Sequence, residues 1–276
     1  MRFFFLLIVL YLSTSLSIGQ ELYVFSEPAS TLPAHALSFK LKNHVVSKNA
    51  LFDRFSYRTS PQVFLGVHRK LTFRIGGTIS NMYSYRSKLE SAHFYAKYRI
   101  LSLDDVHRHF RMALYTEAAT TNAPFHYQEI NLGGDRSGVE AGLIITQLWH
   151  KLAVSGTVGH TQVFNQYRGL LGQHANQHSF KSLQANFAAG YLLFPRSYES
   201  YKQTNLNLYV EVLTQRLLDR SFSYVDLAPA VQLIFASKTK LNLGYRFQVK
   251  GDMERMMQQS WLLSVETTLL GVLKKK

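Results

Sequence analysis

The chain carries a set of charged side chains at alternating positions of apolar stretches. Lys40, Lys42, Arg74, Lys97, Arg99, Arg111, Arg246 and Lys250 form the basic set, and Glu117, Glu140, Glu211 and Glu266 the acidic one. Two kinds of chemistry follow from these residue types. Arginine forks match carboxylate or phosphate and lysine adds a compact point charge, so a basic track could pass or hold small anionic solutes. Alternatively, the glutamates pair with the arginines and lysines and fill a narrow space with ion pairs.

Other chemistries find less support in the spacing. There are 11 histidines and no cysteine, so thiolate metal sites and disulfides are excluded. His174 and His178 stand four apart, but an i, i+4 pair holds a metal well only on a helix, and the surrounding residues show no helical period. His107 and His109 flank Arg108 just after Asp104-Asp105. The His-x-Ser spacing of a lipid-hydrolysing barrel does not occur. Asp105-Val106-His107 has the spacing of a barrel protease, but it falls in a short turn away from the outer rim where such an enzyme works. No catalytic residue, metal site or cofactor is assigned.

The elements that must position the charged set are strands. Leu37, Phe39 and Leu41 alternate with Ser38, Lys40 and Lys42; Leu206, Leu208, Val210 and Val212 alternate with Asn207, Tyr209 and Glu211. Leu241, Leu243, Tyr245, Phe247 and Val249 alternate in turn with Asn242, Gly244, Arg246, Gln248 and Lys250. Such stretches recur near 34–46, 61–68, 71–80, 90–102, 109–119, 137–149, 152–164, 181–194, 204–216, 224–236, 239–250 and 259–270. Short connections around 69–70, 103–108, 150–151 and 237–238 interleave with longer ones near 47–60, 81–89, 120–136, 165–180 and 251–258. Two connections break the pattern: 195–203 is long where a short turn is expected, and 217–223 is short for an outer loop. This predicts an all-β fold, an antiparallel transmembrane β-barrel of about 12 strands in a single domain, with tight turns on one rim and long loops on the other. A soluble barrel or sandwich would alternate as well, but its strands average five or six residues, whereas a tilted spanning strand needs ~9–11. The apolar set then faces lipid, and because a charge there costs ~2–4 kcal/mol at the midplane, the charged set points into the lumen.

Location follows from the first residues. Met1-Arg2, an apolar run from Phe3 to Leu12, and Ser17-Ile18-Gly19 read as a signal peptide over 1–19, leaving 20–276 as the outer-membrane barrel. The apolar run is too short for a spanning helix. The formal charge of +14 falls to +13 once Arg2 leaves with the leader, and it favours anionic company: outer-membrane lipid, lipopolysaccharide phosphates or small anionic solutes. Nucleic acid is disfavoured, because the basic residues are scattered along strands instead of gathered in a stripe. The 19 Phe and 16 Tyr suit aromatic girdles, with Trp149 and Trp261 expected at opposite interfaces.

Glu27-Pro28-Ala29-Ser30-Thr31-Leu32-Pro33-Ala34, Gly66-Val67-His68-Arg69-Lys70-Leu71, Ala96-Lys97-Tyr98-Arg99 and His109-Phe110-Arg111-Met112 resemble segments of uncharacterised outer-membrane barrel proteins of the Bacteroidota. The resemblance spans most of the chain after the leader and implies a Gram-negative outer membrane and assembly by the barrel-assembly machinery. Barrels of that kind commonly end on an aromatic residue, whereas this chain ends Leu273-Lys274-Lys275-Lys276. Two functions remain open: a narrow, porin-like channel or transporter for small, anionic solutes, or a non-conducting structural or interaction barrel that binds lipopolysaccharide or a partner. An outer-membrane enzyme is the minor alternative. Because inward basic residues outnumber inward acidic ones in this list, any pore is expected to favour anions.

Overall fold

The computed structural model describes residues 23–46, 54–124, 127–164, 179–196 and 202–274. The leader over 1–19 and the His174/His178 pair lie outside the described residues. Twelve strands form a closed antiparallel barrel. They are β1 (Leu37–Val46), β2 (Ser56–His68), β3 (Leu71–Ser80), β4 (Lys88–Asp104), β5 (Arg108–Thr121), β6 (Gly138–Trp149), β7 (Leu152–Val163), β8 (Lys181–Phe194), β9 (Asn205–Leu217), β10 (Ser223–Phe235), β11 (Thr239–Gly251) and β12 (Gln259–Leu269). Each strand pairs with its sequence neighbours, and β1 closes the ring on β12 from Leu37↔Leu269 to Val45↔Trp261. Closure leaves no sheet edge, which lets strands cross a hydrocarbon layer that cannot hydrogen-bond to a free edge.

The two faces of the wall follow from the sequence period. On β9, Leu208 and Val210 are exposed while Tyr209 and Glu211 beside them are buried. The same holds for Phe39 and Leu41 against Ser38 and Lys40 on β1. Ile75, Phe94, Leu114, Val158, Phe187, Leu243 and Val265 continue the outward apolar belt around the barrel. A contiguous apolar surface of this kind would be a liability in water; against lipid tails it is the expected exterior. Trp149, Tyr191, Phe194 and Phe235 ring the belt near the short-turn rim, and Trp261, in ring contact with Tyr245 at 4.7 Å, lies near the long-loop rim. The chain is thus an outer-membrane β-barrel.

The strand bounds depart from expectation at one proline and one terminus, and a second proline interrupts pairing inside a strand whose bounds agree. Strand β2 begins at Ser56, five residues before the expected start at Pro61. Pro61 keeps its partner Leu41 on β1, while on the β3 side pairing skips from Thr59↔Ile79 to Gln62↔Gly76. Pro229 does the same within β10, keeping Val210 of β9 while pairing with β11 skips from Leu227↔Phe247 to Ala230↔Gly244. A proline cannot donate to the ladder, so one neighbour loses a bond and the flanking pairs hold the register. Residues before Leu37, expected to start β1 near 34, instead form a strap that enters the lumen. Gly66 makes room for it, since a Cβ there would strike the Pro33 carbonyl oxygen.

The rims give a test of orientation. Tyr85, in the 81–87 connection, is 81% exposed, and Val106, in the 105–107 turn, is 79% exposed. Short turns of such barrels face the periplasm. In intact cells a membrane-impermeant maleimide is expected to label Tyr85→Cys and to spare Val106→Cys until the outer membrane is permeabilised. The absence of native cysteine keeps the background clean. Labelling of Val106→Cys alone would invert the barrel.

Candidate functional site: a polar chamber in the lumen

The lumen is occupied from the short-turn side by the strap, residues 23–36. Its anchor is Glu211, whose carboxylate accepts three backbone N–H bonds, from Val24 at 2.7 Å, Phe25 at 2.9 Å and Ser26 at 2.6 Å. Tyr23 and Val24 are buried against Ala153, Ala188, Tyr209, Ala230 and Leu262. Two small residues, Ala188 and Gly190, make this possible: a Cβ at Gly190 would run into the Tyr209 ring, which stacks edge-on against Tyr23 at 5.6 Å. Towards the rim the Ala29 and Leu32 amides donate to Thr146 and Thr72 at 2.9 and 2.8 Å, so the strap's extended backbone is satisfied by the wall it leans on.

From the other side, the connection between β5 and β6 folds inward. The Ile130 amide and carbonyl both bond the Gln215 side chain, at 3.0 and 2.7 Å, and Arg58 holds Asp135 at 2.5 Å with Glu90 at 3.5 Å beyond it. Burial pushes the Asp135 carboxyl up, but the Arg58 guanidinium outweighs it and holds the group below the usual carboxylate range. The 252–258 connection adds Arg255, which forks onto Asp226 at 2.7 and 2.8 Å, and Met256 and Met257, which pack with Met82, Val46 and Tyr127.

The predicted charged residues do converge on the lumen, and most are paired. Arg74 bridges Glu27 of the strap and Glu117, the latter at 2.9 Å. Lys97 reaches Glu27 at 3.3 Å and the Pro28 carbonyl at 2.9 Å. Lys40 and Lys240 flank Glu266 at 3.5 and 3.2 Å. Arg246 bonds Asp226 at 2.5 Å and Glu129 at 3.4 Å. Arg99 donates to the Arg69 carbonyl at 2.9 Å, and Arg111 reaches Ser30 at 3.0 Å and Asp104 at 3.1 Å, both near the short-turn rim.

Three expectations are corrected by this geometry. Lys250 is exposed and lies outside the lumen, because the bulge between Val225 and Asp226 breaks the alternation of β11 and sets Lys250 opposite Val225, while the inward Tyr224 and Asp226 pair with Gly251 and Gln248. Among the described residues Glu211 and Glu140 form no ion pair with a cation: the first holds the strap, and the second accepts hydroxyls from Tyr115 at 2.7 Å and Thr161 at 2.8 Å. The basic excess also shrinks: Arg58, Lys240 and Arg255 join the inward cations, but Glu27, Glu90, Glu129, Asp135 and Asp226 turn inward to meet them. Glu27 and Glu129 lie in irregular segments with no alternation to place them. Asp226, by contrast, shares the parity of Tyr224, Ala228 and Gln232 on β10 and could have been found.

Between strap and inner loop lies a cavity of about 280 Å³. Phe25 and Glu27 form its floor, and Ile130, Leu132 and Gly133 its roof. Lys42, His44, Arg58 and Arg246 line one part of its wall, and Glu117, Glu140 and Tyr115 another. Among the described residues no three of His, Asp and Glu stand close enough to hold a metal ion. His107 and His150 stack at 4.5 Å, away from the chamber at the short-turn rim.

Comparison with known proteins places the fold. No family model matches the chain, and no curated protein matches it. Among solved structures it is similar to an outer-membrane channel from Pseudomonas putida F1, with a TM-score of 0.60 at 12% identity over 90% of this chain and 100% of that one. Weaker likenesses include the KdgM porin, with a TM-score of 0.45 at 8% identity over 83% of this chain and 98% of that one. The β domain of the Bordetella autotransporter BrkA scores 0.46 at 11% identity over 84% and 97%.

Proposed function

We propose that the chain is a narrow outer-membrane channel for small polar solutes, closed in this conformation by its own strap. One observation carries this: a polar chamber of about 280 Å³ sits in the lumen, with a floor formed by a strap that is held by hydrogen bonds, ion pairs and packing and is not part of the strand ladder. A barrel with a purely structural role gains nothing from a solvated, charged hollow at its centre, where apolar packing would stabilise it without the desolvation cost of buried ions. Selectivity for anions, the simplest consequence of a basic track, is not the reading favoured by this lumen, because most of its cations already face carboxylates. A leader removed after Gly19, binding of lipopolysaccharide at the basic rims, assembly by the barrel-assembly machinery and kinship with Bacteroidota barrels belong to the same proposal, resting on the sequence alone.

The inward strap and loop favour a second reading, a non-conducting barrel that presents its loops to a partner. Planar-bilayer recording separates the two. A channel is expected to show small, intermittent conductance steps with weak preference between K⁺ and Cl⁻. Silence in both the wild type and a variant whose strap is released would leave the non-conducting barrel.

A further inference from the structure

Among the described residues, two charged side chains of the chamber touch no opposite charge, although Glu27 and Glu117 act on Lys42, and Arg74 on Glu140, through space. Lys42 makes no hydrogen bond or ion pair with a side chain among the described residues, whereas the arginines of the chamber wall, Arg58, Arg74 and Arg246, all contact carboxylates. Glu140 receives only the neutral hydroxyls of Tyr115 and Thr161, which hold its two oxygens in place without cancelling their charge. Both side chains line the same cavity. They reach it from different parts of the wall: Lys42 from β1, between Ser60 of β2 and Ser264 of β12, and Glu140 from β6, between Glu117 of β5 and Thr161 of β7. Beside Lys42, His44 keeps a buried Nδ1 with no hydrogen-bond partner.

A charge that touches no partner in a partly desolvated site is costly, and a ligand that brings the opposite charge within contact lowers that cost and favours the charged form. A plain anion would answer Lys42 and leave Glu140 facing it; a plain cation would do the reverse. From this pair we infer that the chamber is a binding site for a small zwitterion, whose carboxylate is held by Lys42 with His44 beside it and whose ammonium is held by Glu140. The volume fits: drug-sized ligands occupy sites of ~300–1,000 Å³, so a cavity just below that range suits a solute of amino-acid size. Placed on a channel axis, such a site would hold each solute briefly in transit, since binding must be strong enough to admit it and weak enough to release it. The inference rests on the channel reading for its biological use, but the site itself exists or fails independently of conduction.

The test uses the full barrel in detergent micelles and equilibrium binding by ligand-observed NMR, with γ-aminobutyrate, butyrate and butylammonium as probes of one length and three charge patterns. Binding is measured in the wild type, in which the strap and with it the chamber floor are in place. γ-Aminobutyrate is expected to bind at least tenfold more tightly than either singly charged probe. Lys42→Met and Glu140→Gln should each remove that advantage, and Lys250→Met, outside the lumen, should keep it. Retention of the heat-modifiable migration of a folded barrel by each variant guards against loss of fold. Equal binding of butyrate and γ-aminobutyrate, or no binding of the zwitterion, overturns the site. Intact zwitterion binding with no conductance would keep the site and overturn the channel.

Discussion

Replacing Asp226 with alanine is expected to destabilise the barrel by about 3–5 kcal/mol, the usual consequence of removing one partner from a buried ion pair. The reason is the company it keeps. Arg255 forks onto its two oxygens and Arg246 bonds one of them, and both guanidiniums lie against the Tyr224 ring, at 3.9 and 5.3 Å from its centre. Asp226 and Arg255 are fully buried, so the alanine variant would strand a guanidinium with only Gln248 to receive it, while Arg246 keeps Glu129. Asp226→Asn should lose less, because it preserves volume and one acceptor. Urea titration in detergent, read by the shift between folded and unfolded migration, checks the order. Asp104→Ala supplies the contrast: Asp104 also meets Arg111 and His109, but it stands 47% exposed at the rim, where such pairs contribute roughly 0–1 kcal/mol. An Asp226→Ala variant no less stable than Asp104→Ala would show that the cluster does not hold the long-loop end together.

The same cluster shows where the sequence speaks and where it is silent. Arg246 is legible as an inward residue because β11 alternates without interruption from Leu241, and any slip of one residue would turn five apolar side chains into the lumen. Its partners are another matter. Asp226 sits on a strand broken by Pro229, and Glu129 and Arg255 lie in connections that have no period to read. Arg58 was hidden for a similar reason: Pro61 conceals the first half of β2, since a proline inside a run argues against a strand unless the flanking pairs carry it. The barrel, its strand order and its two unlike rims thus follow from local alternation and connection length. What fills the barrel follows from long-range pairing between irregular segments, which alternation cannot encode. That is also why a list of strand residues alone suggested a basic lumen. Three of the acidic residues that reduce its excess, Glu27, Glu129 and Asp135, come from the strap and the β5–β6 connection.

The strap provides the functional counterpart. Glu211→Ala is expected to raise conductance several-fold over the wild type while leaving the barrel folded. Strand pairing does not run through this side chain, so its loss spares the wall; what it removes is the acceptor for the amides of Val24, Phe25 and Ser26. Hydrogen bonds to a charged group contribute ~1.5–3 kcal/mol each, and every 1.4 kcal/mol is a factor of ten, so losing even about 3 kcal/mol shifts the ratio of seated to released strap on the order of 100-fold. The three amides would also be left buried without partners, which adds to the drive outward. Glu211→Gln should fall between, since it offers one carbonyl oxygen to three donors and turns its own NH₂ towards them. Two measurements read the outcome together: single-channel recording, and the rate at which a protease admitted from the short-turn side cuts between Tyr23 and Ala36. Faster cutting with unchanged conductance would mean that the strap moves but does not close the pore. If neither changes, Glu211 is not the latch, and the tight burial of Tyr23 and Val24 against Tyr209 and Leu262 suffices to seat the strap.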